Sequence, residues 1–327
     1  MHVLVTGATG KVGQALIARL SRAEPLGEGL SITALCHNRV VEERPGLRVV
    51  RGSIADRAVV GEALEGVTHV VHLATCKETP DEIMDVAVKG LFWLLEGFRV
   101  SPTAQRFVLL GGDAAVGHFF HRHPAPITED APHRAYPGCY ALSKVLEEVM
   151  VEQYGVQYGI DWCCLRAPWI MEKDDFRHSL SFGDDLFGGP DWKAMVDPDV
   201  ARTSRATGAV PLLVEEDGTP VKRNFVHLDD LVEAIRIALT AKAARQRLYN
   251  VAMDEPVDYG AVAAYLAATR QLPSTTVRGP YVSNSLDNSR AKAELGWRPV
   301  YDLEKLIDSA WDFVRPSDDP RRVWYPG

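Results

Sequence analysis

Tyr140 and Lys144 are the pair of side chains that points most directly to chemistry. They lie four residues apart in Tyr140-Ala141-Leu142-Ser143-Lys144, and in a helix this spacing places them on one face, about 40° apart. A nearby ammonium stabilises a phenolate and lowers the pKa of tyrosine from its usual value of about 10. Such a tyrosine exchanges a proton with a hydroxyl or carbonyl while hydride moves to or from a nicotinamide. The pair alone is more often ordinary helix surface, so the prediction depends on its context.

A glycine-rich loop, TGATGKVG at 6–13, supplies that context. Gly7 suits a tight turn, Gly10 a close approach of the backbone to a pyrophosphate, and Gly13 close packing of helix against strand. The N-terminus of the following helix offers unbonded N–H groups and a positive dipole end to phosphates. The loop predicts a dinucleotide site, the alternative being a tight turn without a ligand. The other predicted cofactor contacts in this loop are Thr9, Lys11 and Val12.

Strand-like and helix-like segments alternate through the first two-thirds of the chain. The predicted strands are Val3–Thr6, Ser31–Cys36, Leu47–Arg51, Thr68–Leu73, Arg106–Leu110 and Asp161–Arg166. The predicted helices are Gly13–Arg22, Asp56–Leu64, Asp81–Arg99 and Gly138–Tyr154. This alternation predicts an α/β fold, a Rossmann-like doubly wound parallel sheet with helices on both faces, followed by a smaller mixed C-terminal substrate domain.

The pattern changes after Pro168. Met171–Val221 shows no clear periodicity, which is typical of a functional lid or a small second domain. Further elements are predicted at Phe225–Val226, Asp229–Ala241, Arg247–Val251, Tyr259–Arg270 and Leu303–Val314. We therefore expect residues 1–170 to form the dinucleotide-binding domain, with a returning segment near 222–252, and residues 171–327 to be mainly a substrate-binding region.

Composition excludes several classes of protein. The chain has 327 residues and a net charge of −8, from 36 Lys+Arg against 44 Asp+Glu, so general nucleic-acid binding is not expected. No apolar run reaches the roughly 20 residues of a membrane helix. The five cysteines include no CxxC pair, which argues against a zinc site or a disulfide framework. We expect no metal and a cytoplasmic location, because no leader-like segment precedes the first strand.

Several motifs in order resemble one family. They are TGATGKVG at 6–13, VVHLAT at 70–75, YALSK at 140–144, RAPWI at 166–170, FVHLDDL at 225–231 and LGWRP at 295–299. Together they look like the extended short-chain dehydrogenases/reductases, and more narrowly the NAD-dependent epimerase/dehydratase branch. The resemblance covers nearly the whole chain. It implies a Rossmann domain with a small C-terminal substrate domain, and a homodimer formed through two long helices, here Asp81–Arg99 and Gly138–Tyr154.

The resemblance also implies roles for single residues. Tyr140 would be the general acid or base, and Lys144 would hold the nicotinamide ribose and tune Tyr140. Pro168 would lie against the nicotinamide amide, and Arg223 would hold a phosphate of a nucleotide sugar. The predicted lining of the cofactor path after the fourth strand is Leu73, Ala74 and Thr75.

Two positions depart from the family pattern. The family has a Ser or Thr after the fifth strand, whose hydroxyl binds the reacting oxygen; here that position falls on Gly112, or on Asp113 or Ala114 if the register slips. An Asn expected in the preceding helix is Ala87. Thr75 and Asp113 are candidate replacement donors, and a glycine also leaves room for a bulkier or charged substrate. The other readings are a weak enzyme or a redox-silent protein.

The residues that would select between NAD and NADP also depart from the family pattern. NAD-specific relatives end the second strand with an acid, whereas this strand ends in Leu35-Cys36-His37-Asn38-Arg39. Arg39 is suited to a 2′-phosphate, which favours NADP over NAD, although dual use and a merely solvated arginine stay open. The position of the family's adenine-contacting acid is taken by Ser53, with Ile54 beside it. His118 opens a histidine-containing loop and is a candidate substrate contact.

These observations predict an NAD(P)-dependent oxidoreductase or epimerase. Its substrate would be the carbinol or ketone of a sugar-like small molecule or nucleotide sugar, with a hydrophobic ketone as the rival. The alternative from another class is a catalytically eroded NAD(P)-binding sensor or regulatory module. The changes at Gly112 and Ala87 favour that alternative, and the intact Tyr140 and Lys144 oppose it.

Overall fold

The computed structural model describes residues 1–22, 29–184 and 190–319. Its strands are β1 (His2–Thr6), β2 (Ser31–Cys36), β3 (Leu47–Arg51), β4 (His69–His72), β5 (Arg106–Gly112), β6 (Trp162–Ala167), β7 (Trp169–Met171), β8 (Val210–Val214), β9 (Lys222–Arg223), β10 (Phe225–His227), β11 (Arg247–Asn250), β12 (Val257–Asp258) and β13 (Ser274–Arg278). Seven of them form one sheet in the order β11-β6-β5-β4-β1-β2-β3, and all neighbouring strands in it are parallel. This is the order of a doubly wound dinucleotide-binding sheet with one added edge strand, so the predicted fold class is confirmed.

The helices are α1 (Lys11–Arg22), α2 (Arg57–Ala63), α3 (Pro80–Ile83), α4 (Gly90–Val100), α5 (Cys139–Tyr158), α6 (Asp175–Ser179), α7 (Pro198–Thr207), α8 (Leu228–Thr240), α9 (Tyr259–Arg270), α10 (Ser289–Leu295) and α11 (Leu303–Asp312). Helices α1 and α8 share an apolar core on one face of the sheet, and α2, α4 and α5 share another on the opposite face. Strand β1 supplies both cores, because Val3 and Val5 point to one face and Leu4 to the other. A continuous apolar run is what a parallel strand covered on both faces requires.

The predicted elements of the first half agree with the structure, with two differences of detail. Asp56, the first residue of the predicted helix, is the N-cap of α2, because the Ala58 N–H donates to its carboxylate at 2.8 Å. The predicted helix over Asp81–Arg99 is divided into α3, a π-helical turn at Met84–Lys89, and α4. Helix α5 continues to Tyr158 and ends at Gly159, whose positive φ suits a left-handed cap.

The expectation of an irregular Met171–Val221 segment is wrong. The described part of this segment contains α6, a 3₁₀ turn at Trp192–Met195, α7 and β8. Helix α7 buries only Ser204, so it carries little apolar periodicity, but Asp197 caps its start and Gly208 its end. Strand β8 pairs with β13, which lies far along the chain and was not predicted, and both contribute to a third apolar core with α9 and α11.

The chain returns from this region towards the main sheet twice, first beside β7 in a separate two-stranded sheet and then at the edge of the main sheet itself. Strand β10 runs parallel to β7, just beyond the end of β6. Strand β11 then joins the sheet edge beside β6. These returns bring Arg223 on β9, next to β10, to the same end of the molecule as the glycine loop.

Candidate active site

One cavity of about 850 Å³ opens at the carboxyl ends of the sheet strands, where ligands bind in doubly wound folds. Its wall contains residues that follow β1, β2, β4, β5 and β6. The predicted site residues that line it are Gly7, Thr9, Gly10, Lys11, Val12, Gly13, Arg39, Ser53, Ile54, Leu73, Ala74, Thr75, Asp113, His118, Tyr140, Lys144, Pro168 and Arg223. Gly112 lies directly behind this wall. The fold therefore brings together residues from most of the chain.

The glycine loop has a geometry that side chains would block. Gly7 has φ +62°, and a Cβ there would lie 2.8 Å from the Ala74 nitrogen. A Cβ on Gly13 would lie 2.4 Å from the Gly7 carbonyl oxygen, in the tight turn closed by the Gly10 N–H, which donates to that same oxygen at 2.9 Å. The start of α1 faces the cavity. This cradle fits the pyrophosphate of a dinucleotide.

Hydrogen bonds fix the loop to its neighbours. The Thr6 hydroxyl accepts hydrogen bonds from the backbone N–H groups of Leu73 and Ala74, at 3.0 and 3.1 Å, which joins the ends of β1 and β4. Lys11 lines the cavity, and its Nζ donates to the Asp175 carboxylate on α6 at 2.6 Å. The loop is thus held both by the sheet and by the C-terminal half.

The cavity continues past the end of β2, where an adenosine would lie. Arg39 is exposed there, and Ser53 forms a local turn in which the Ala55 N–H donates to the Ser53 hydroxyl at 3.2 Å. A second recess of about 570 Å³ adjoins it, lined by Arg39 and by Arg51 at the end of β3, together with Glu42. This end of the site therefore carries two guanidinium groups and one carboxylate.

Tyr140 and Lys144 occupy one face of the first turns of α5, with the Lys144 ammonium 5.6 Å from the centre of the Tyr140 ring. The Lys144 ammonium is bound to Glu147, because its Nζ donates to the buried Glu147 carboxylate at 2.7 Å. The expectation that Lys144 lowers the pKa of Tyr140 is wrong for this state. Burial, and then the carboxylates of Glu147, Asp113 and Glu78, raise the pKa of Tyr140 above its usual range.

Gly112 ends β5 opposite this tyrosine. A Cβ built on it would lie 3.6 Å from the Tyr140 hydroxyl oxygen, so residue 112 faces the reacting end of Tyr140 but supplies no donor there. Asp113 follows and is buried against His118, with 3.0 Å between the His118 Nε2 and an Asp113 carboxylate oxygen. Ala87 is buried in the π-helical turn and is absent from the cavity wall.

Arg223 closes the other side of the cavity. Its guanidinium lies 4.2 Å from the centre of the Trp169 ring and 4.4 Å from that of Phe119. The side chain is 9% exposed, and its Nε and one terminal nitrogen have no hydrogen-bond partner among the described residues. A buried cation whose donors are unsatisfied is suited to an anionic group.

Sequence reasoning missed several groups in this site. Lys77 lies over the ring of Tyr140, and Glu78 accepts a hydrogen bond from the Cys139 N–H at the start of α5, at 2.9 Å. Glu147 follows Lys144 by three residues, and that helical spacing was a usable signal. Lys77 follows the carboxyl end of β4, which was a usable signal of position only. The site also has an aromatic wall, which consists of Phe119, Phe120, Tyr136, Trp169 and Tyr281.

Two negative findings apply to residues 1–22, 29–184 and 190–319. Within these ranges no helix is long and apolar enough to cross a membrane. Nor do they bring three or more His, Cys, Asp or Glu side chains together as a metal site. The cysteines all fall in this part of the chain and are free thiols.

Residues 3–171 match the family model described as NAD dependent epimerase/dehydratase family. The chain belongs to this family. The UDP-glucose 4-epimerase of Mycolicibacterium smegmatis is 26% identical over 344 residues, covering 96% of this chain and 99% of that protein. UDP-glucuronate 4-epimerase 3 of Arabidopsis thaliana is 25% identical, covering 92% of this chain and 74% of that protein.

A solved structure shows the same fold for this epimerase/dehydratase chain. A short-chain dehydrogenase/reductase superfamily protein from Agrobacterium tumefaciens, crystallised with bound NAD, superposes with a TM-score of 0.80. It is 24% identical and covers 95% of this chain and 96% of its own. The resemblance noted from the motifs is therefore confirmed at the level of family and fold. The segment that matches the family model contains the glycine loop, Gly112, Tyr140 and Lys144.

Proposed function

We propose that the protein transfers hydride between NAD(P) and a carbinol or ketone of a sugar-like substrate, in an epimerisation or a net oxidation or reduction. The observation that carries this proposal is that Tyr140 lines the same cavity as the glycine cradle, so that a cofactor and a proton-exchanging group share one site. Family membership supports the reaction class.

The chain's own residues have definable parts in this reaction. The backbone at the start of α1 would hold the cofactor pyrophosphate, and the cofactor, when bound, would supply the hydride acceptor or donor. Because burial and carboxylates raise the pKa of Tyr140, its phenol form dominates at neutral pH in the unliganded protein. Tyr140 is therefore set to donate its proton to a carbonyl oxygen, and in the reverse direction the Tyr140 phenolate accepts the hydroxyl proton.

Arg223 supports a substrate with an anionic group. Its unsatisfied donors and the rings around it suit a diphosphate next to a flat base, which is the chemistry of a nucleotide sugar. Two relatives are named as UDP-sugar epimerases, which favours the same class. We assign this substrate part mainly to the half of the chain that follows residue 170.

For the cofactor we favour NADP, with NAD as an alternative that the same cradle accepts. The support is the recess with Arg39 and Arg51, whose guanidinium groups suit a 2′-phosphate. Glu42 in the same recess, and the NAD bound to the Agrobacterium protein, favour NAD. Parallel fluorescence titrations with NADH and NADPH decide between them.

We also infer a homodimer formed through α4 and α5. Leu142 and Val149 are exposed apolar residues seven positions apart on α5, and Phe92 is exposed on α4. Exposed apolar stripes on neighbouring helices indicate an interface. Light scattering gives the mass directly, and Leu142→Glu is expected to shift it from two chains to one.

The decisive experiment replaces the proton-exchanging group. UDP-glucose and UDP-glucuronate are incubated with NAD⁺ or NADP⁺, and Tyr140→Phe is compared with Tyr158→Phe, an exposed tyrosine at the end of the same helix. Tyr140→Phe is expected to lose about 10²–10⁴-fold in rate, and Tyr158→Phe to match the wild type. Full turnover by Tyr140→Phe contradicts the proposal. Binding of NAD(P)H without turnover of any carbinol supports the sensor alternative, which the missing donor at Gly112 favours.

A further inference from the structure

Lys77 lies at the reacting end of the cavity and has no part in the function proposed above. Its ammonium lies 4.0 Å from the centre of the Tyr140 ring, closer than that of Lys144 at 5.6 Å. The position is fixed by its neighbour, because the Glu78 carboxylate accepts hydrogen bonds from the Cys139 and Tyr140 backbone N–H groups at 2.9 and 3.4 Å. The segment carrying Lys77 is thereby joined to the start of the tyrosine helix.

At the same end of the cavity, position 112 offers no side-chain donor to the reacting oxygen. Gly112 faces the Tyr140 hydroxyl without a side chain, and Lys144 is bound to Glu147 and to the Leu110 carbonyl, at 2.7 and 3.4 Å. When no preorganised donor stabilises the oxyanion that develops during hydride transfer, the rate is lower by about 10²–10³-fold. A cation beside Tyr140 is placed to meet this need.

The charges around Lys77 make it a suitable donor. Burial lowers its pKa to about 7, with Lys144 and Lys11 acting in the same direction and Asp113 and Glu78 opposing them. An ammonium with this pKa donates more strongly than an ordinary lysine, and near neutral pH it is still protonated in a substantial fraction of molecules.

We propose that Lys77 is a further catalytic residue, whose ammonium donates a hydrogen bond to the reacting oxygen in place of a hydroxyl at position 112. The inference rests on the proposed function. In the oxidative direction Tyr140 starts as the phenolate, the substrate O–H bond breaks and its proton passes to the phenolate oxygen. The C–H bond breaks with its electron pair, which leaves as hydride to the nicotinamide, and the C=O bond forms. Lys77 keeps its proton throughout and stabilises the charge on the oxygen.

The test compares Lys77→Met and Lys77→Arg with Lys242→Met, an exposed lysine in the turn after α8. Rates are measured with UDP-glucose and UDP-glucuronate over pH 6–9, and cofactor affinity by fluorescence titration. Lys77→Met is expected to lower kcat about 10²-fold with cofactor Kd changed less than about threefold. Lys77→Arg is expected to retain part of the rate and to abolish the decline of kcat above about pH 7, because arginine stays charged.

Rescue provides a second arm that a structural role would not reproduce. Gly112→Ser in the Lys77→Met background is expected to restore the rate at least about tenfold, since a serine there restores a donor near the Tyr140 hydroxyl. An unchanged kcat in Lys77→Met, or a loss found entirely in cofactor Kd, would overturn the inference. The second result would identify Lys77 as a phosphate contact.

A third arm needs neither substrate nor turnover. Competitive acetylation of the cofactor-free protein across pH, with the Lys77 peptide followed by mass spectrometry, is expected to give a midpoint near 7. A midpoint near 10 would overturn the inference even if the cavity binds cofactor. Failure of the proposed function is seen separately, as full turnover by Tyr140→Phe or as no binding of NADH and NADPH.

Discussion

The two ends of the cavity are specified in different ways. At the cofactor end the essential features are backbone features: the turn at Gly7, the approach of Gly13 to the Gly7 carbonyl, and the exposed start of α1. At the reacting end Tyr140 and Lys144 are present, but the charges around them come from four separate segments of the chain. Glycine geometry is encoded locally and is readable from spacing. Charge balance depends on which distant side chains the fold brings together.

The largest predicted effect comes from a substitution that blocks the glycine loop at the cofactor end of the cavity. Gly13→Val places carbon atoms within 2.4 Å of the Gly7 carbonyl oxygen and 2.7 Å of the Ala8 Cα, where only backbone could move. NAD(P)H affinity measured by fluorescence is expected to fall at least about 100-fold. Gly61→Ala in α2 is the control, because a Cβ there meets nothing within 4 Å, and it should leave binding unchanged. Wild-type affinity in a folded Gly13→Val protein would show that the cradle is not the binding site.

The geometry of the cofactor end is easier to predict from the sequence than that of the reacting end, for a physical reason. Buried parallel strands such as β1 are continuous apolar runs, and the glycine spacing has few alternative explanations, so both are visible in the sequence. Lys77 was missed because periodicity does not indicate where a loop side chain points. The α7 and β8 elements were missed because α7 buries almost nothing and β8 pairs with the distant β13. The direction of the Tyr140 pKa shift was wrong because burial, and then the Glu147 carboxylate, raise this pKa, and a rule based on the Tyr140–Lys144 pair alone includes neither.

A second prediction alters the charge balance at the reacting end. Glu147 is the first carboxylate among the causes that raise the pKa of Tyr140, and it holds Lys144. In Glu147→Gln a charge that disfavours the phenolate is removed, so the pKa of Tyr140 falls. The ionisation assigned to Tyr140 in the pH profile of kcat/KM is expected to move about one unit towards lower pH.

The control for this shift is Glu152→Gln, an exposed carboxylate on the same helix, which should leave the profile in place. Thermal unfolding of both variants shows whether the Lys144 environment survives. A profile that stays fixed or moves to higher pH in folded Glu147→Gln would mean that Glu147 does not set the charge on Tyr140.

A third prediction asks whether the cofactor end also depends on side chains. Arg39→Ala is expected to weaken NADPH binding about tenfold and NADH binding little, since only the 2′-phosphate would contact the guanidinium. Arg48→Ala is the matched control, as Arg48 lies on β3 away from the recess and pairs with Glu62. Equal loss for both cofactors, or none, would remove the argument for NADP and leave the backbone cradle as the whole of the binding determinant.

The smallest expected effect best separates two explanations of the reacting end: that Lys77 replaces the missing donor at position 112, or that the donor is lost without replacement. A serine Cβ at position 112 would meet the Lys144 chain at 3.5 Å and the Tyr140 oxygen at 3.6 Å, which are ordinary contacts, so Gly112→Ser should fold. If Lys77 already supplies a donor, an added hydroxyl is largely redundant. The wild-type rate should then change less than about threefold, whereas an end that lacks any donor should gain about 10²-fold.

Gly111→Ser is the control for the position of the added hydroxyl. Its Cβ would lie 2.8 Å from the Cys164 sulfur and 3.1 Å from the Glu148 carboxylate, so it should lower the thermal unfolding temperature without any gain in rate. A large gain confined to Gly112→Ser would therefore mean that the reacting end has lost its donor without replacement. The cofactor end would then keep its full binding geometry, whereas the reacting end would lack part of its catalytic set.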